Sequence, residues 1–222
     1  MSRTAICATA EEAVAGIPDS ATVLVGGFGM AGMPTTLIDA LIEQGATDLT
    51  IVSNNAGNGD TGLAALLAAG RVRKVICSFP RQSDSHVFDG LYRAGKVALE
   101  VVPQGNLAER MRAAGAGIGA FFCPTGVGTP LAEGKELRTI DGRDYLLEYP
   151  IRGDVALIGA HIGDPTGNLV YRKTARNFGP VMATAAALTI SEVSRVVATG
   201  EIDPETVVTP GIYVDRILEV SR

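Results

Sequence analysis

Short apolar runs alternate with amphipathic segments along the first half of the chain. Runs rich in Val, Ile and Leu predict strands at residues 22–27, 48–54, 72–79 and 97–103. The segments between them repeat apolar positions at helical spacing and predict helices over residues 34–45, 61–70, 83–95 and 106–115. Strands joined by single helices form right-handed crossovers. The pattern therefore predicts an α/β fold with a mostly parallel sheet flanked by helices.

The pattern changes after a further short strand predicted at residues 119–122. Residues 124–152 are rich in Gly and Pro and contain the turn signal Asp-Gly-Arg, so we expect a hairpin excursion there. Strand character returns at 154–160, 168–172 and 193–199, and helical spacing after a cap-like Thr209 predicts a terminal helix over residues 209–220. No repeat or low-complexity tail interrupts the chain, and we expect residues 1–222 to form one domain.

Composition and charge narrow the class of protein. The chain is 46% hydrophobic and 19% charged, which is typical of a folded globular protein. Its net charge is −5 and its Lys and Arg residues are dispersed, which argues against nucleic acid or an anionic membrane surface as a partner. Acidic residues interrupt any apolar core of a signal peptide at Glu11 and Glu12, and three widely spaced cysteines fit a reducing compartment. We expect a cytoplasmic protein.

A glycine-rich loop follows the first predicted strand. Gly27, Gly29 and Gly32 have the G-x-G-x-x-G spacing of a dinucleotide-binding turn. That function also requires an acidic residue at the end of the second strand, where this chain has Asn54 and Asn55 and no carboxylate before residue 60. The loop therefore matches the dinucleotide motif weakly. Binding of an anion by its backbone N–H groups and a simple tight turn both remain open.

Amide side chains follow two of the predicted strands. Asn54 and Asn55 end the second strand and Gln104 follows the fourth, so all three belong to the carboxyl edge of a parallel sheet. These strand ends carry no general base. The combination favours substrate positioning and oxyanion stabilisation, with the reactive group supplied from elsewhere. An ordinary Asn-Gly turn is the alternative for Asn54 and Asn55.

The remaining candidate residues indicate a specific function less clearly. Arg81 follows the third strand and is a candidate for holding a substrate carboxylate, with a plain surface role as the alternative. Ser83, Asp84 and His86 suggest a catalytic triad, but no G-x-S-x-G elbow accompanies them, and we expect Ser83 or Asp84 to cap a helix instead. The two histidines lie in unrelated contexts, so no metal site is predicted.

Seven segments together resemble the A (alpha) subunits of family I CoA-transferases of the 3-oxoacid type. The resemblance runs from about residue 10 to the C-terminus. Its segments are VGGFGMAGMP (25–34), SNNAG (53–57), PQGNLAER (103–110), FFCPTGVGT (121–129), GNLVYR (167–172), NFGPVMATAA (177–186) and GEIDPETVVTPGIYVDRI (200–217). Two more, SFPRQSDS (78–85) and LYRAGK (91–96), are most similar to the 3-oxoadipate CoA-transferases of aromatic-compound breakdown.

The resemblance implies a ping-pong transfer of CoA from succinyl-CoA to a 3-oxoacid, with acyl anhydride and glutamyl-CoA thioester intermediates. It implies that the glutamate nucleophile lies on a B (beta) subunit, that this chain holds no catalytic residue, and that the pair forms an A₂B₂ heterotetramer. CoA thioesters are then substrates and no cofactor is bound permanently. The residues implied to border CoA are Gly26, Gly27, Phe28, Gly29, Met30, Ala31 and Gly32.

Three alternatives remain open from the sequence. The acceptor could be acetoacetate, which lacks the distal carboxylate of 3-oxoadipate. The glycine-rich loop could serve an NAD-dependent oxidoreductase. A non-catalytic effector-binding domain on a related α/β fold is the third alternative, although no DNA-binding segment accompanies it.

Overall fold

The computed structural model describes residues 4–220 of the chain. Its helices are α1 (Ala10–Val14), α2 (Thr35–Gln44), α3 (Leu63–Ala68), α4 (His86–Arg93), α5 (Gln104–Gly115) and α6 (Gly179–Ala185). Its strands are β1 (Ala5–Cys7), β2 (Thr22–Val25), β3 (Leu49–Asn55), β4 (Val72–Phe79), β5 (Ala98–Val101), β6 (Phe121–Cys123), β7 (Leu137–Ile140), β8 (Arg143–Glu148), β9 (Gly153–Gly163), β10 (Leu169–Val170), β11 (Ala186–Val196) and β12 (Arg216–Glu219). Across these described residues, no helix has the length and apolar character needed to cross a membrane.

The larger sheet has nine strands in the order β1-β12-β11-β9-β2-β3-β4-β5, with β10 attached to β9. Its strands pair in parallel except at β10, which confirms the predicted α/β class. The chain builds outward from β2 to β5 and later returns to the other side of β2 with β9. Strand order therefore reverses between β2 and β9, and a crevice at the carboxyl ends of strands forms at such a reversal.

Helices cover both faces of this sheet. Buried residues of α1 to α4 form a core on one face, and those of α5 and α6 form a core on the other. Along β3, Ile51 belongs to the first core and Val52 to the second. Because side chains alternate along a strand, Asn54 and Asn55 project to opposite faces.

The predicted hairpin is confirmed as β7 and β8, which pair antiparallel across a turn with positive φ at Asp141 and Gly142. The strand predicted at residues 119–122 is β6, and it pairs with β8 in this smaller sheet. Glu148 of β8 is almost fully buried and accepts hydrogen bonds from Lys135 Nζ at 2.6 Å and Asn106 Nδ2 at 3.0 Å. The bond from Asn106 fixes the smaller sheet to the first turn of α5.

The predicted terminal helix over residues 209–220 is wrong. That segment contains a 3₁₀ turn at Gly211–Tyr213 and then β12, which pairs with β1 and β11. Ile217 and Leu218 are adjacent, yet they enter the cores on opposite faces of the sheet. Spacing that suits one helical face also fits a strand that is buried on both faces, and here two neighbouring strands supply the backbone partners.

Other differences concern short elements. Sequence patterns did not predict β1, α1 or α6, which have 3, 5 and 7 residues. The strand predicted at 193–199 begins at Ala186, directly after α6, and the strand predicted at 168–172 is only Leu169–Val170. Segments of this length contain too few turns or alternations for a period to emerge.

Candidate active site

The glycine turn, residues 26–32, joins β2 to the segment before α2 at the strand-order reversal. Phe28 and Ala31 exchange both backbone hydrogen bonds, at 3.0 and 3.2 Å. Gly29, with φ +59°, and Met30 therefore form the tip of a closed turn. Within residues 4–220 the N–H groups of Gly29 and Met30 have no acceptor. Adjacent backbone N–H groups left free at a turn are suited to binding an anion.

Asn177 holds this turn from a distant part of the chain. Its Oδ1 accepts the N–H of Gly27 at 3.0 Å, and its Nδ2 donates to the carbonyl of Ala31 at 2.9 Å. A Cβ on Gly32 would collide with the Ala175 carbonyl and lie 2.9 Å from Asn177 Nδ2. Gly32 is therefore required by packing against the chain itself, whereas Gly29 faces open space.

The N-terminus of α2 is already satisfied in part by a protein carboxylate. Glu192 on β11 is fully buried, and its Oε2 accepts the N–H of Leu37 at 3.1 Å. Anion binding at this helix terminus was one of the two alternatives left open by the sequence. Since Glu192 takes that place, the free donors for a ligand are the N–H groups at the tip of the glycine turn. Sequence patterns assigned no role to Glu192 or Asn177.

The structure brings Gln104, Asn54 and the glycine turn together. Gln104, the first residue of α5, donates from Nε2 to Asn54 Oδ1 at 2.7 Å, and Ser78 Oγ donates to the same oxygen at 2.9 Å. Gln104 and Phe28 both line a cavity of about 330 Å³. We call this cavity the amide cleft, and its lining residues are Phe28, Gln104, Gly105, Ala108, Asn177, Phe178 and Val181.

Asn55 lies outside this group because its side chain projects to the other face of the sheet. Its Oδ1 accepts the N–H of Gly57 at 2.9 Å. Its Nδ2 is buried and finds no hydrogen-bond partner in the described part of the chain. The structure thus joins one of the two predicted asparagines to Gln104, and gives the other a local turn contact.

Arg81 is also separate from the amide cleft. Its Nε donates to Asp89 Oδ1 at 2.6 Å, and more than half of its side chain is exposed. With Phe79, Phe88 and Tyr92 it lines a different, largely apolar cavity of about 360 Å³. A ligand carboxylate would compete there with Asp89 for the guanidinium.

The cluster around His86 forms no catalytic triad. The His86 ring nitrogens lie 2.8 Å from Asp84 and 3.2 Å from Asp60, and the hydrogen bond with Asp84 raises the pKa of His86 above its ordinary value. The expected cap by Ser83 or Asp84 is wrong, since α4 starts at His86 without a side-chain cap. The described residues contain no group of three or more His, Cys, Asp or Glu that could hold a metal ion.

Comparison with known proteins identifies the family. The coenzyme A transferase family model matches residues 7–220, nearly the whole chain. The chain belongs to the coenzyme A transferase family. This CoA transferase is 69% identical to the alpha (A) subunit of the 3-oxoadipate CoA-transferase of Pseudomonas putida, over 94% of this chain and 90% of that protein. It is 50% identical to the alpha (A) subunit of the succinyl-CoA:3-ketoacid coenzyme A transferase of Xanthomonas campestris pv. campestris, over 95% of this chain and 87% of that one.

A solved structure supports the same family. The apoenzyme of the acyl-CoA transferase YdiF from Escherichia coli O157:H7 superposes with a TM-score of 0.86 at 27% identity. The match covers 99% of this CoA transferase and 47% of that longer chain. Members of this family act on CoA thioesters. The weak dinucleotide match of the glycine turn therefore loses its support.

Proposed function

We propose that this chain is the alpha subunit of a two-component enzyme that transfers CoA from succinyl-CoA to a 3-oxoacid, with 3-oxoadipate as the acceptor. The observation that carries the proposal is the meeting of the glycine turn with the Asn54–Gln104 amide pair at the strand-order reversal. The choice of acceptor rests on 69% identity to a 3-oxoadipate enzyme against 50% to a succinyl-CoA:3-ketoacid enzyme.

The glycine turn and Gln104 have complementary roles in this proposal. The turn borders the CoA thioester, and the free N–H groups of Gly29 and Met30 receive the oxygen that becomes negatively charged when the thioester is attacked. Gln104 positions the acyl group, and its contact with Asn54 fixes the orientation of its amide. Asn55 supports the strand end from the opposite face through its bond to Gly57.

The nucleophile in this proposal comes from the beta subunit. The residues that line the amide cleft include no Asp or Glu, and we assign no catalytic residue to this chain. A glutamate of the beta subunit, which is the nucleophile, attacks the thioester carbonyl; this step gives an acyl anhydride and releases CoA thiolate. The thiolate then attacks the glutamyl carbonyl, leaving glutamyl-CoA and free succinate. The acceptor carboxylate repeats both steps in reverse and regenerates the glutamate.

We further propose an A₂B₂ assembly in the cytoplasm. Phe28 and Met30, on the glycine turn, are 52% and 57% exposed, and Ile212 is 84% exposed. Large exposed apolar side chains, two of them on the glycine turn of a site that lacks its nucleophile, suit a surface covered by the beta subunit. The net charge of −5 gives no reason to expect a nucleic acid or an anionic membrane as a partner. In this proposal the bound CoA thioester is a substrate, without a permanent cofactor.

The acceptor is tested with the reconstituted alpha–beta complex. Initial rates of CoA transfer from succinyl-CoA are measured with 3-oxoadipate and with acetoacetate across matched concentrations. We expect a higher kcat/KM for 3-oxoadipate. A higher kcat/KM for acetoacetate would show that acetoacetate, and not 3-oxoadipate, is the preferred acceptor. Tight binding of NADH in a fluorescence titration, without transfer, would revive the oxidoreductase alternative.

Arg81→Gln should weaken 3-oxoadipate turnover selectively. We propose that Arg81 exchanges its partner Asp89 for the distal carboxylate of the acceptor. Loss of a hydrogen bond to a charged group costs about 1.5–3 kcal/mol, so kcat/KM for 3-oxoadipate falls while that for acetoacetate stays near the wild-type value. Arg93→Gln is the matched control, because Arg93 is an exposed residue at the end of α4. Equal losses on both acceptors would refute the assignment of Arg81.

A further inference from the structure

A buried carboxylate contacts the helix that follows the glycine turn. Glu192 is a fully buried residue of β11. Side chains alternate along a strand, so Glu192 shares a face of the sheet with Ile190, which belongs to the core formed by α1 to α4. Its Oε2 accepts the N–H of Leu37, in the first turn of α2, at 3.1 Å. The side chain of Glu192 therefore ties β11 to the start of α2.

The helix α2 lacks a side-chain cap from its own segment. Its N-cap is Pro34, which makes no side-chain hydrogen bond, and its first turn contains no Asp or Glu. The first N–H groups of a helix need acceptors, and Glu192 supplies one from a strand 155 positions away. Only Met33 and Pro34 separate Gly32 from α2. A shift of the first turn of α2 would therefore displace the glycine turn as well.

The neighbouring strand β9 holds the glycine turn on the same face of the sheet. The register of β9 and β11 pairs Gly159 with Glu192. A Cβ on Gly159 would lie 2.8 Å from the carbonyl oxygen of Gly32, so the backbone of the turn packs directly on β9 at this point. Paired residues of two strands thus fix one segment, at Gly32 by packing and at Leu37 by a hydrogen bond.

Neither packing nor charge explains a carboxylate at this position. Burial of an ionisable side chain costs free energy that an apolar side chain of similar size avoids. A negative charge on Glu192 would also repel the charge that develops beside the N–H groups of Gly29 and Met30 in the proposed reaction. The favourable contribution of Glu192 is therefore its hydrogen bond to α2, which sets the geometry of the segment.

We infer that Glu192 is a positioning residue for CoA transfer, an inference that rests on the proposed function. Glu192 fixes the start of α2, and the position of α2 places the N–H groups of Gly29 and Met30 at the oxygen of the attacked thioester. Donors that act on charge developing in the transition state accelerate the reaction without tightening substrate binding. A displaced α2 should therefore lower kcat and leave the KM for succinyl-CoA near its wild-type value.

Three substitutions of Glu192 in the reconstituted alpha–beta complex test this inference. Glu192→Gln keeps an oxygen at the same distance along the side chain to accept the N–H of Leu37, and we expect a kcat near wild type. Glu192→Asp keeps the charge but shortens the side chain by one methylene, and Glu192→Leu removes the acceptor. A misplacement of about 1 Å lowers a rate about 10²-fold. We expect kcat losses of that order for Asp and Leu, with KM unchanged.

Asp154→Leu is the matched control. Asp154 Oδ2 accepts the N–H of Thr22 at 2.7 Å, so it too is a carboxylate bound to a distant backbone N–H. This contact lies at the amino ends of β2 and β9, at the opposite edge of the sheet from the glycine turn. We expect wild-type kcat for this variant. Thermal unfolding is measured for all four variants, and rates are taken well below each melting temperature, so that a loss of stability alone leaves kcat unchanged.

The outcomes separate this inference from the proposed function. If Glu192→Gln loses as much kcat as Glu192→Asp or Glu192→Leu, the hydrogen bond to α2 is not the cause and the inference is wrong. Wild-type kcat in Glu192→Asp and Glu192→Leu, with lower melting temperatures, would give Glu192 a purely structural role and also overturn it. The proposed function stands in both cases. Should Glu192→Leu fail to fold, the comparison of Gln with Asp decides. A wild-type complex without transfer activity would overturn the proposed function and this inference with it.

Discussion

Gly32→Val is expected to destabilise the fold strongly, whereas Gly29→Val destabilises it less and blocks transfer. Both glycines have positive φ, +74° and +59°, so a side chain strains the backbone at either position by about 1–3 kcal/mol. Only Gly32 would also clash, because its Cβ meets the Ala175 carbonyl and the Asn177 amide. Strain and overpacking together predict a loss of about 3–5 kcal/mol in the free energy of unfolding for Gly32→Val.

The two variants are measured by denaturant unfolding and by CoA transfer in the reconstituted complex. Gly29→Val extends a side chain into the open space beside the free N–H groups, where the substrate oxygen is proposed to bind. Loss of such donors reduces kcat by about 10²–10³-fold. A Gly32→Val protein as stable as wild type would contradict the packing explanation. Full activity in Gly29→Val would show that the glycine turn does not bind the substrate.

Gln104→Ala is expected to lower kcat by about 10²–10³-fold if its amide contacts the reacting acyl group. Stability should change little, because Gln104 is exposed at the start of α5 and Asn54 Oδ1 keeps its hydrogen bond from Ser78. Gln104→Glu keeps the shape and removes the N–H donor, so we expect a similar loss. Steady-state rates and thermal unfolding are measured for each variant, with Gln82→Ala as the control.

Two results would contradict the role of Gln104. Wild-type kcat in Gln104→Ala would mean that the amide only packs against Asn54. A fall in kcat that parallels a fall in melting temperature would mean that Gln104 serves the fold. Gln82 lies in the loop before α4 and does not line the amide cleft. Its substitution should therefore leave both quantities unchanged.

Much of the site position was predictable from strand order. The glycine turn, Asn54 and Gln104 each lie at the end of a predicted strand, and the carboxyl ends of parallel strands share one edge. The alternation of side chains along β3 could also have separated Asn54 from Asn55, because it depends only on neighbouring positions in the strand. These features arise from local pattern and general sheet geometry.

The parts that were missed depend on contacts between distant residues. Asn177 bonds to Gly27 across 150 positions, and Glu192 bonds to Leu37 across 155. No local period signals such contacts. A cavity lined by Arg172 and Lys173 joins residues of β9, β11 and the turn after β10, so its charge emerges only when those segments meet. The strand at Arg216–Glu219 was mistaken for a helix because burial on both faces hides the alternation of a strand.

The most direct test of the two-subunit account is CoA transfer measured with this chain alone, with the isolated beta subunit, and with their mixture. The substrates are succinyl-CoA and 3-oxoadipate, and formation of 3-oxoadipyl-CoA is followed. Because the amide cleft contains no carboxylate nucleophile of its own, we predict transfer only by the mixture. Robust transfer by this chain alone would contradict the account, and so would a mixture that assembles and remains inactive.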